Sequence, residues 1–415
     1  MKTIYVAANG CAVLRHETNR VLTFFIKNGY VECDSPIKAN IILFSGCGMT
    51  NEDVSFDIQI INDLHTQKKT GTKLIVMGCL PAVYDKIKSI SDEIVILKYD
   101  ELNILNHLIP TTIKLEDVTY NVGFESHLVW PRQMDEVDII EDEKLLKKIP
   151  VNSREGFEEF YRYSTAGKYI WKEKDVFQIR IAYGCSYSCS YCASRLAVGK
   201  YKSVPIQNVL DQFQTGIEKG FTKFMLIGTE LGNYGKEFDS SISDLISLVY
   251  QINNKIRVGI RYIHPDCLVK NFLKLQPFLE NGFVYYFCAA IQTSSARLLK
   301  DMNRNPDLGK FIECIRTINL NKMPVFKHTQ IMVGFPGETY LDIFNTIDLL
   351  DSCNFNFVNV NKFSSRPMTA AHKYEHPISE EEKDRRLNLV KQWLAIKRKE
   401  LLYEQLKKIF SDFHE

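Results

Sequence analysis

Residues 185–192 read CSYSCSYC, three cysteines in eight positions with the spacing C-x3-C-x2-C. The stretch directly follows VFQIRIA (176–182), an apolar run that predicts a β-strand. Three thiolates are one short of a tetrahedral set. Zinc usually draws its ligands as two pairs, so a lone triplet is a poor zinc signal. Three thiolates on one short loop do suit an iron–sulfur cubane, in which one iron is left without a protein ligand.

Downstream of this loop, strand and helix patterns alternate. Strands are expected at 176–182, 223–228, 256–263, 283–291, 325–335 and 355–363, with helices near 205–220, 241–254, 266–280, 306–321 and 338–352. This series predicts a partial TIM-like (βα)6 barrel over 176–375, and it puts the three-cysteine loop after the first barrel strand, on the catalytic face. A single helix is expected over 379–413, within a C-terminal extension of 376–415. It opens on a Ser379/Glu382 capping box and carries a stripe of Leu387, Val390, Leu394, Leu401 and Leu402. Its lysines and arginines, interleaved with acids, read as a solvated face.

Upstream, strands at 3–8, 40–45, 73–78 and 93–97 alternate with helices at 18–29, 51–69 and 81–90. Wholly apolar strands between helices predict a parallel sheet covered on both faces, hence a doubly wound α/β domain over 1–112. Residues 113–175 are charged and tyrosine-rich without this alternation. They read as a linker or insertion, either a solvated excursion or a substrate-contacting lid.

The N-terminal domain has its own cysteine triplet. Cys11, Cys47 and Cys79 each follow a glycine, just past a predicted parallel strand. That sheet edge is where open α/β folds bind ligands, so the three thiols are expected to converge. Ordinary burial of cysteine accounts for one such placement but poorly for three. A second three-thiolate cluster is the favoured reading. Cys33, Cys267, Cys288, Cys314 and Cys353 read as packing residues. The 415 residues carry 52 basic and 50 acidic side chains, so no global charge argues for nucleic acid. No apolar run is long enough for a bilayer, and the first residues lack a signal-peptide core. A cytoplasmic protein is expected, in which eleven cysteines are reduced thiols and not a disulfide framework.

The ordered set of GC at 10–11, 46–47 and 78–79, GCSYSCSYC at 184–192, IRVGIRYIHPD at 256–266, IQTSSARLLKDMNR at 291–304, IMVGFPGET at 331–339 and KFSSRPMTAA at 362–371 resembles the radical SAM methylthiotransferases over roughly residues 1–375. The resemblance implies that Cys185, Cys189 and Cys192 bind a 4Fe–4S cluster whose open iron chelates S-adenosylmethionine. It implies that Cys11, Cys47 and Cys79 bind an auxiliary 4Fe–4S cluster that carries or donates sulfur. A 5′-deoxyadenosyl radical then abstracts hydrogen, and C–H becomes C–S, usually with methylation of the sulfur. Gly228, Glu230, Gln292, Ser294, Gly334 and Gly337 are the S-adenosylmethionine contacts this likeness suggests; for His264 a packing or capping role weighs as much as ligand contact. A low-potential donor such as flavodoxin or ferredoxin is implied as the electron source.

The sequence departs from the family in two places. The tail reads as a helix where the family has a small β-barrel, the TRAM domain. The segment after Cys192, ASRLAVGKYKSVP, keeps Arg195 and Ser203 but little of the family's basic pattern. On these grounds a ribosomally made peptide is the expected substrate. The alternatives are a transfer-RNA adenosine derivative, peptide C–S crosslinking without external sulfur, and a non-catalytic zinc-stabilised binding protein.

Overall fold

The structure, a computed structural model, describes residues 1–118 and 176–411. Of the expected 113–175 insertion, residues 119–175 lie outside the described residues. The described chain divides into two compact units. The first takes in 1–118, 177–245 and 364–372; the second takes in 176, 246–363 and 373–411.

The first unit opens with a five-stranded parallel sheet: β1 (Lys2–Ala8), β2 (Tyr30–Glu32), β3 (Ile41–Gly46), β4 (Lys73–Gly78) and β5 (Val95–Ile96), in the order β2-β1-β3-β4-β5. Every residue of β3 is buried, because helices cover both faces of the central strand. One apolar core gathers Val21, Phe24 and Phe25 of α1 (Ala12–Lys27) against Ile4, Leu43 and Ile75. The other gathers Val54, Ile61 and Leu64 of α2 (Asn51–Gln67) against Ile42, Phe44 and Val76. The winding reverses between β1 and β3, and a crevice opens beyond the carboxyl ends of strands at such a point.

Helix α1 begins at Ala12, six residues before the expected start, with Cys11 at its N-cap. Its first turns hide polar residues, His16, Glu17, Asn19 and Arg20, on a helix that is buried nearly all round, and these obscured the apolar periodicity. The helix expected at 81–90 shrinks to α3 (Leu80–Val83) followed by a 3-10 turn at Lys86–Ser89. Strand β2 was not foreseen; three residues are too few for a period-2 signal.

The first unit also holds β6 (Phe177–Arg180), the small antiparallel pair β7 (Ala182–Tyr183) and β8 (Lys202–Ser203), and β9 (Lys223–Ile227), which pairs in parallel with β6. The short α4 (Ser194–Val198) lies against α3, and helix α5 (Ile206–Glu218) packs on β6. In the second unit β10 (Arg257–Ile260), β11 (Val284–Cys288), β12 (Phe326–Val333) and β13 (Phe357–Lys362) run parallel. Helices α6 (Pro265–Glu280), α7 (Ala296–Asp301), α8 (Leu308–Asn319) and α9 (Tyr340–Cys353) connect them. Within the first unit β6 neighbours β9, and within the second β10 to β13 neighbour one another in chain order, the sequential pairing expected of a (βα)6 series.

The C-terminal helix α10 runs over Glu380–Ser411. Ser379 Oγ accepts the Glu382 N–H, one half of the expected capping box. Its docked face is less apolar than the expected stripe. Lys383, Arg386 and Val390 are buried, whereas Leu387 and Leu394 are half-buried. Arg386 reaches Glu338 at 3.0 Å, and the Lys383 ammonium lies 5.2 Å from the centre of the Phe363 ring. The side chains of Leu401 and Leu402 lie outside the described residues. Among the described residues no helix is long and apolar enough to cross a membrane.

Candidate functional site: two thiol triplets in one unit

Cys11, Cys47 and Cys79 each occupy a strand-to-helix turn at the carboxyl edge of the first sheet. Backbone bonds lace these turns together. Asn9 N–H donates to Ser45 C=O at 2.8 Å, and Cys79 N–H donates to Gly46 C=O at 2.9 Å. Gly78 has φ +98°, and a Cβ there would lie 2.6 Å from the Gly46 carbonyl oxygen. Only glycine permits both the left-handed backbone and this approach.

A buried carboxylate holds the Cys47 turn. Asp57, fully buried on α2, accepts from the Cys47 N–H and from Asn9 Nδ2, both at 2.6 Å. It therefore ties the turn after β1 to the turn after β3. Asp53 adds a second contact, 3.8 Å from Cys47 Sγ.

The thiols crowd one another electrostatically. Burial drives Cys47 well above the ordinary thiol range, and Asp53, Cys79 and Cys11 add to the rise. Burial pushes Cys79 up to about 12, reinforced by Cys11 and Cys192; a hydrogen bond from the Tyr99 side chain and the Arg180 charge pull the other way. All three thiols of the upstream triplet are thus mutual neighbours, and Cys79 is also a neighbour of Cys192.

The loop at 185–192 is built in the same way. Gly184 has φ +64°, and a Cβ there would sit 2.1 Å from the Lys200 carbonyl oxygen. Cys192 N–H donates to Cys189 C=O at 3.1 Å, which closes the turn. Burial pushes Cys185 up to about 12, with Cys192, Glu230 and Cys189 adding to it. Burial raises Cys192 as well, with Cys189 beside it.

The donor chemistry of both triplets fits an iron–sulfur cluster. Three crowded thiols resist ionising together unless a cationic group shares the charge, and the thiolate is the ligating form. Among the described residues no three His, Cys, Asp or Glu side chains gather tightly enough to hold a single metal ion.

A buried ion-pair network links the two loops. Arg180, at the end of β6, bonds Glu17 at 2.6 Å, and Glu17 also holds Arg20 at 2.5 Å. The Arg180 guanidinium lies 3.9 Å from the centre of the Tyr183 ring. Burial opposes the charge on Arg180, but Glu17, Tyr183 and Tyr99 together outweigh it and keep the guanidinium ionised.

The suggested S-adenosylmethionine contacts divide between the units. In the first, a Cβ on Gly228 would strike Leu231 at 2.6 Å, so its glycine serves packing. Glu230, beside Cys185, spends its carboxylate on the N–H groups of Gly232 and Asn233 and on Asn233 Nδ2. Asn233 Nδ2 also donates to Ser186 Oγ at 2.9 Å, which ties this turn to the 185–192 loop. In the second unit, Gln292 is buried with φ +68° and an unpaired Oε1. Ser294 N–H bonds Thr346 Oγ1 at 3.0 Å, and its hydroxyl lies 3.2 Å from the same oxygen. Gly334, at φ +79°, makes room for the Lys383 side chain, and Gly337 C=O accepts from Arg297. His264 caps α6, its Nδ1 accepting the Asp266 N–H at 3.3 Å. Of the cysteines read as packing residues, Cys267, Cys288, Cys314 and Cys353 are buried and Cys33 is half-buried.

Asn9, Glu17, Asp57, Tyr99 and Arg180 escaped the sequence reading. Asp57 did leave a signal: it falls on the Val54–Ile61–Leu64 face of α2, where a carboxylate demands a partner.

Comparison with known proteins agrees with this arrangement. Residues 179–350 match the radical SAM superfamily, and residues 3–97 match the uncharacterized protein family UPF0004. The chain is 25% identical over 401 residues to the threonylcarbamoyladenosine tRNA methylthiotransferase MtaB of Thermotoga maritima, covering 94% of this chain and 82% of that one. It is also 25% identical over 400 residues to the tRNA-2-methylthio-N(6)-dimethylallyladenosine synthase of Nitratiruptor sp., covering 93% and 82%. In fold it is similar to the radical S-adenosylmethionine methyltransferase TsrM from Kitasatospora setae, with a TM-score of 0.57 at 12% identity over 89% of this chain and 77% of that one. The chain carries a radical SAM domain preceded by a UPF0004 domain, and over more than nine-tenths of its length it is similar to methylthiotransferases.

Proposed function

We propose that this enzyme methylthiolates an N6-modified adenosine of transfer RNA, with Cys185, Cys189 and Cys192 holding the cluster that activates S-adenosylmethionine and Cys11, Cys47 and Cys79 holding an auxiliary cluster. When bound, the first cluster supplies one-electron cleavage of S-adenosylmethionine and the second supplies sulfur. The observation that carries the reading is the presence of both thiol triplets in one compact unit, with Cys79 and Cys192 in mutual electrostatic range. The chain's own residues orient these groups. Asp57 and Asn9 hold the Cys47 turn, and the Glu17–Arg180 pair braces the sheet edge next to the 185–192 loop. Among the suggested S-adenosylmethionine contacts, Gln292 is the best supported, by its orphaned Oε1 and its strained backbone. A low-potential donor of the flavodoxin or ferredoxin type would supply the electron.

The peptide substrate preferred from sequence gives way to transfer RNA. That preference rested on features missing from the tail and from the segment after Cys192. The relatives above match more than nine-tenths of this chain and are transfer-RNA enzymes by name.

The test is an anaerobic reaction of the reconstituted enzyme with transfer RNA that lacks the modification, read by mass spectrometry of the nucleosides. The expected product is an N6-modified adenosine in which a methylthio group replaces hydrogen. Formation of 5′-deoxyadenosine with no such nucleoside, together with thiolation of a peptide, would overturn the assignment. A peptide that only loses two hydrogens would indicate crosslinking instead.

A further inference from the structure

Arg366 lies in the segment 364–372, which belongs to the first unit. This segment touches the surroundings of both thiol triplets. At one end Ser364 Oγ accepts the Asn51 N–H at 3.2 Å, four residues past Cys47. At the other, Ala371 N–H donates to the carbonyl of Ser190 at 2.9 Å, between Cys189 and Cys192. Between these anchors the Arg366 carbonyl accepts from Thr369 N–H and Thr369 Oγ1, at 2.9 and 2.8 Å, which sets the backbone around the arginine.

The Arg366 side chain is buried, with only 5% of the residue exposed. Its Nε and Nη2 are buried and have no hydrogen-bond partner. These two nitrogens form one edge of the guanidinium fork, so their N–H bonds run parallel toward a common point, the geometry that takes one anion in bidentate fashion. The guanidinium lies within electrostatic range of Asp53, Cys47 and Glu52. Asp53 does not occupy the fork edge: its Oδ2 accepts from Thr50 N–H and Thr50 Oγ1. A buried cation with an open bidentate edge is costly unless an anion meets it.

We propose that Arg366 is the positioning residue that holds the anionic sulfur species, hydrosulfide in its simplest form, at the auxiliary site beside Cys47. This rests on the reading that Cys11, Cys47 and Cys79 hold that cluster. The fork supplies charge and two directed donors, and no bond to Arg366 is made or broken. A monoanionic sulfur ligand would otherwise sit among thiolates and Asp53, where like charges repel it.

The experiment uses the full chain with Cys185, Cys189 and Cys192 all changed to alanine, reconstituted anaerobically so that only the auxiliary site loads. The cluster is reduced with dithionite to its paramagnetic state, sodium hydrosulfide is titrated in, and the change in the cluster's paramagnetic resonance spectrum is followed. With Arg366 intact the change saturates. In Arg366→Gln the iron content is retained and half-saturation moves at least tenfold higher; Arg366→Lys, which restores charge without the fork, falls between. Equal half-saturation in Arg366→Gln and its parent overturns the proposal, even if the cluster's reduction potential shifts. If the triple-alanine parent loads no iron, the cluster assignment fails and the Arg366 proposal falls with it. Arg366→Gln that unfolds at the parent's temperature and still binds hydrosulfide normally refutes Arg366 alone.

Discussion

Replacing Asp57 by asparagine tests whether the auxiliary thiols are held by design of the fold. Asp57 is fully buried and receives two donors, Cys47 N–H and Asn9 Nδ2, each at 2.6 Å. Hydrogen bonds to a charged acceptor are worth about 1.5–3 kcal/mol each. Asparagine keeps the volume and one carbonyl oxygen, but it turns the other oxygen into an amide that faces a donor. One of the two bonds is lost, so the expected destabilisation is about 1.5–3 kcal/mol. At about 2–4 °C per kcal/mol for a unit of this size, the melting transition of the anaerobic apoprotein falls by roughly 3–12 °C. The Cys47 turn loosens with it. After reconstitution the iron content falls from roughly eight per chain, the content of two cubanes, toward roughly four. Circular dichroism on heating reads the first effect and a colorimetric iron assay the second. An Asp57→Asn protein with the parent's melting temperature and full iron content would refute the reasoning, because the Cys47 turn would then be independent of the carboxylate.

Gly184→Ala forces a Cβ to within 2.1 Å of the Lys200 carbonyl oxygen at φ +64°. It is expected to abolish reductive cleavage of S-adenosylmethionine while auxiliary iron remains, as a 5′-deoxyadenosine assay beside the iron count will show. His264 is held neutral, its pKa lowered to about 2 by burial and then by Arg304 and Lys270. Its folded pKa lies below the unfolded one, so the unfolded chain takes up the proton first. The associated stability is present above the unfolded value near 6.5 and declines by about 1.4 kcal/mol for each pH unit below it. His264→Asn keeps a capping side chain and removes this titration. The drop in urea midpoint between pH 7.5 and 5 should shrink; buried His328, lowered to about 3 by burial and Arg261, still adds to the drop, and Glu338, raised to about 7 by burial, opposes it. An unchanged drop would contradict the assignment.

The elements that carry the cysteine loops were legible because their signals are local. All-apolar runs such as IILF (41–44) and LIVM (74–77) have no other stable place than the interior of a parallel sheet. A glycine followed by cysteine at three strand ends announced a shared edge, and C-x3-C-x2-C needed only eight residues. Short elements such as β2, and the early start of α1, were not legible. Their formation depends on partners distant in sequence and not on their own periodicity.

What the sequence determined by itself was the α/β alternation, the six thiols and the strand ends that carry them. What only the tertiary structure decided was which polar residues brace those thiols. Asp57 meets Cys47, Glu17 meets Arg180, and Ala371 meets Ser190 across 10, 163 and 181 residues of chain. A buried charge is specified by the partner that neutralises it, and pairing across such separations leaves no periodic trace in the chain. The same holds for Arg366, whose unpaired fork edge becomes visible only when the fold buries it beside Cys47.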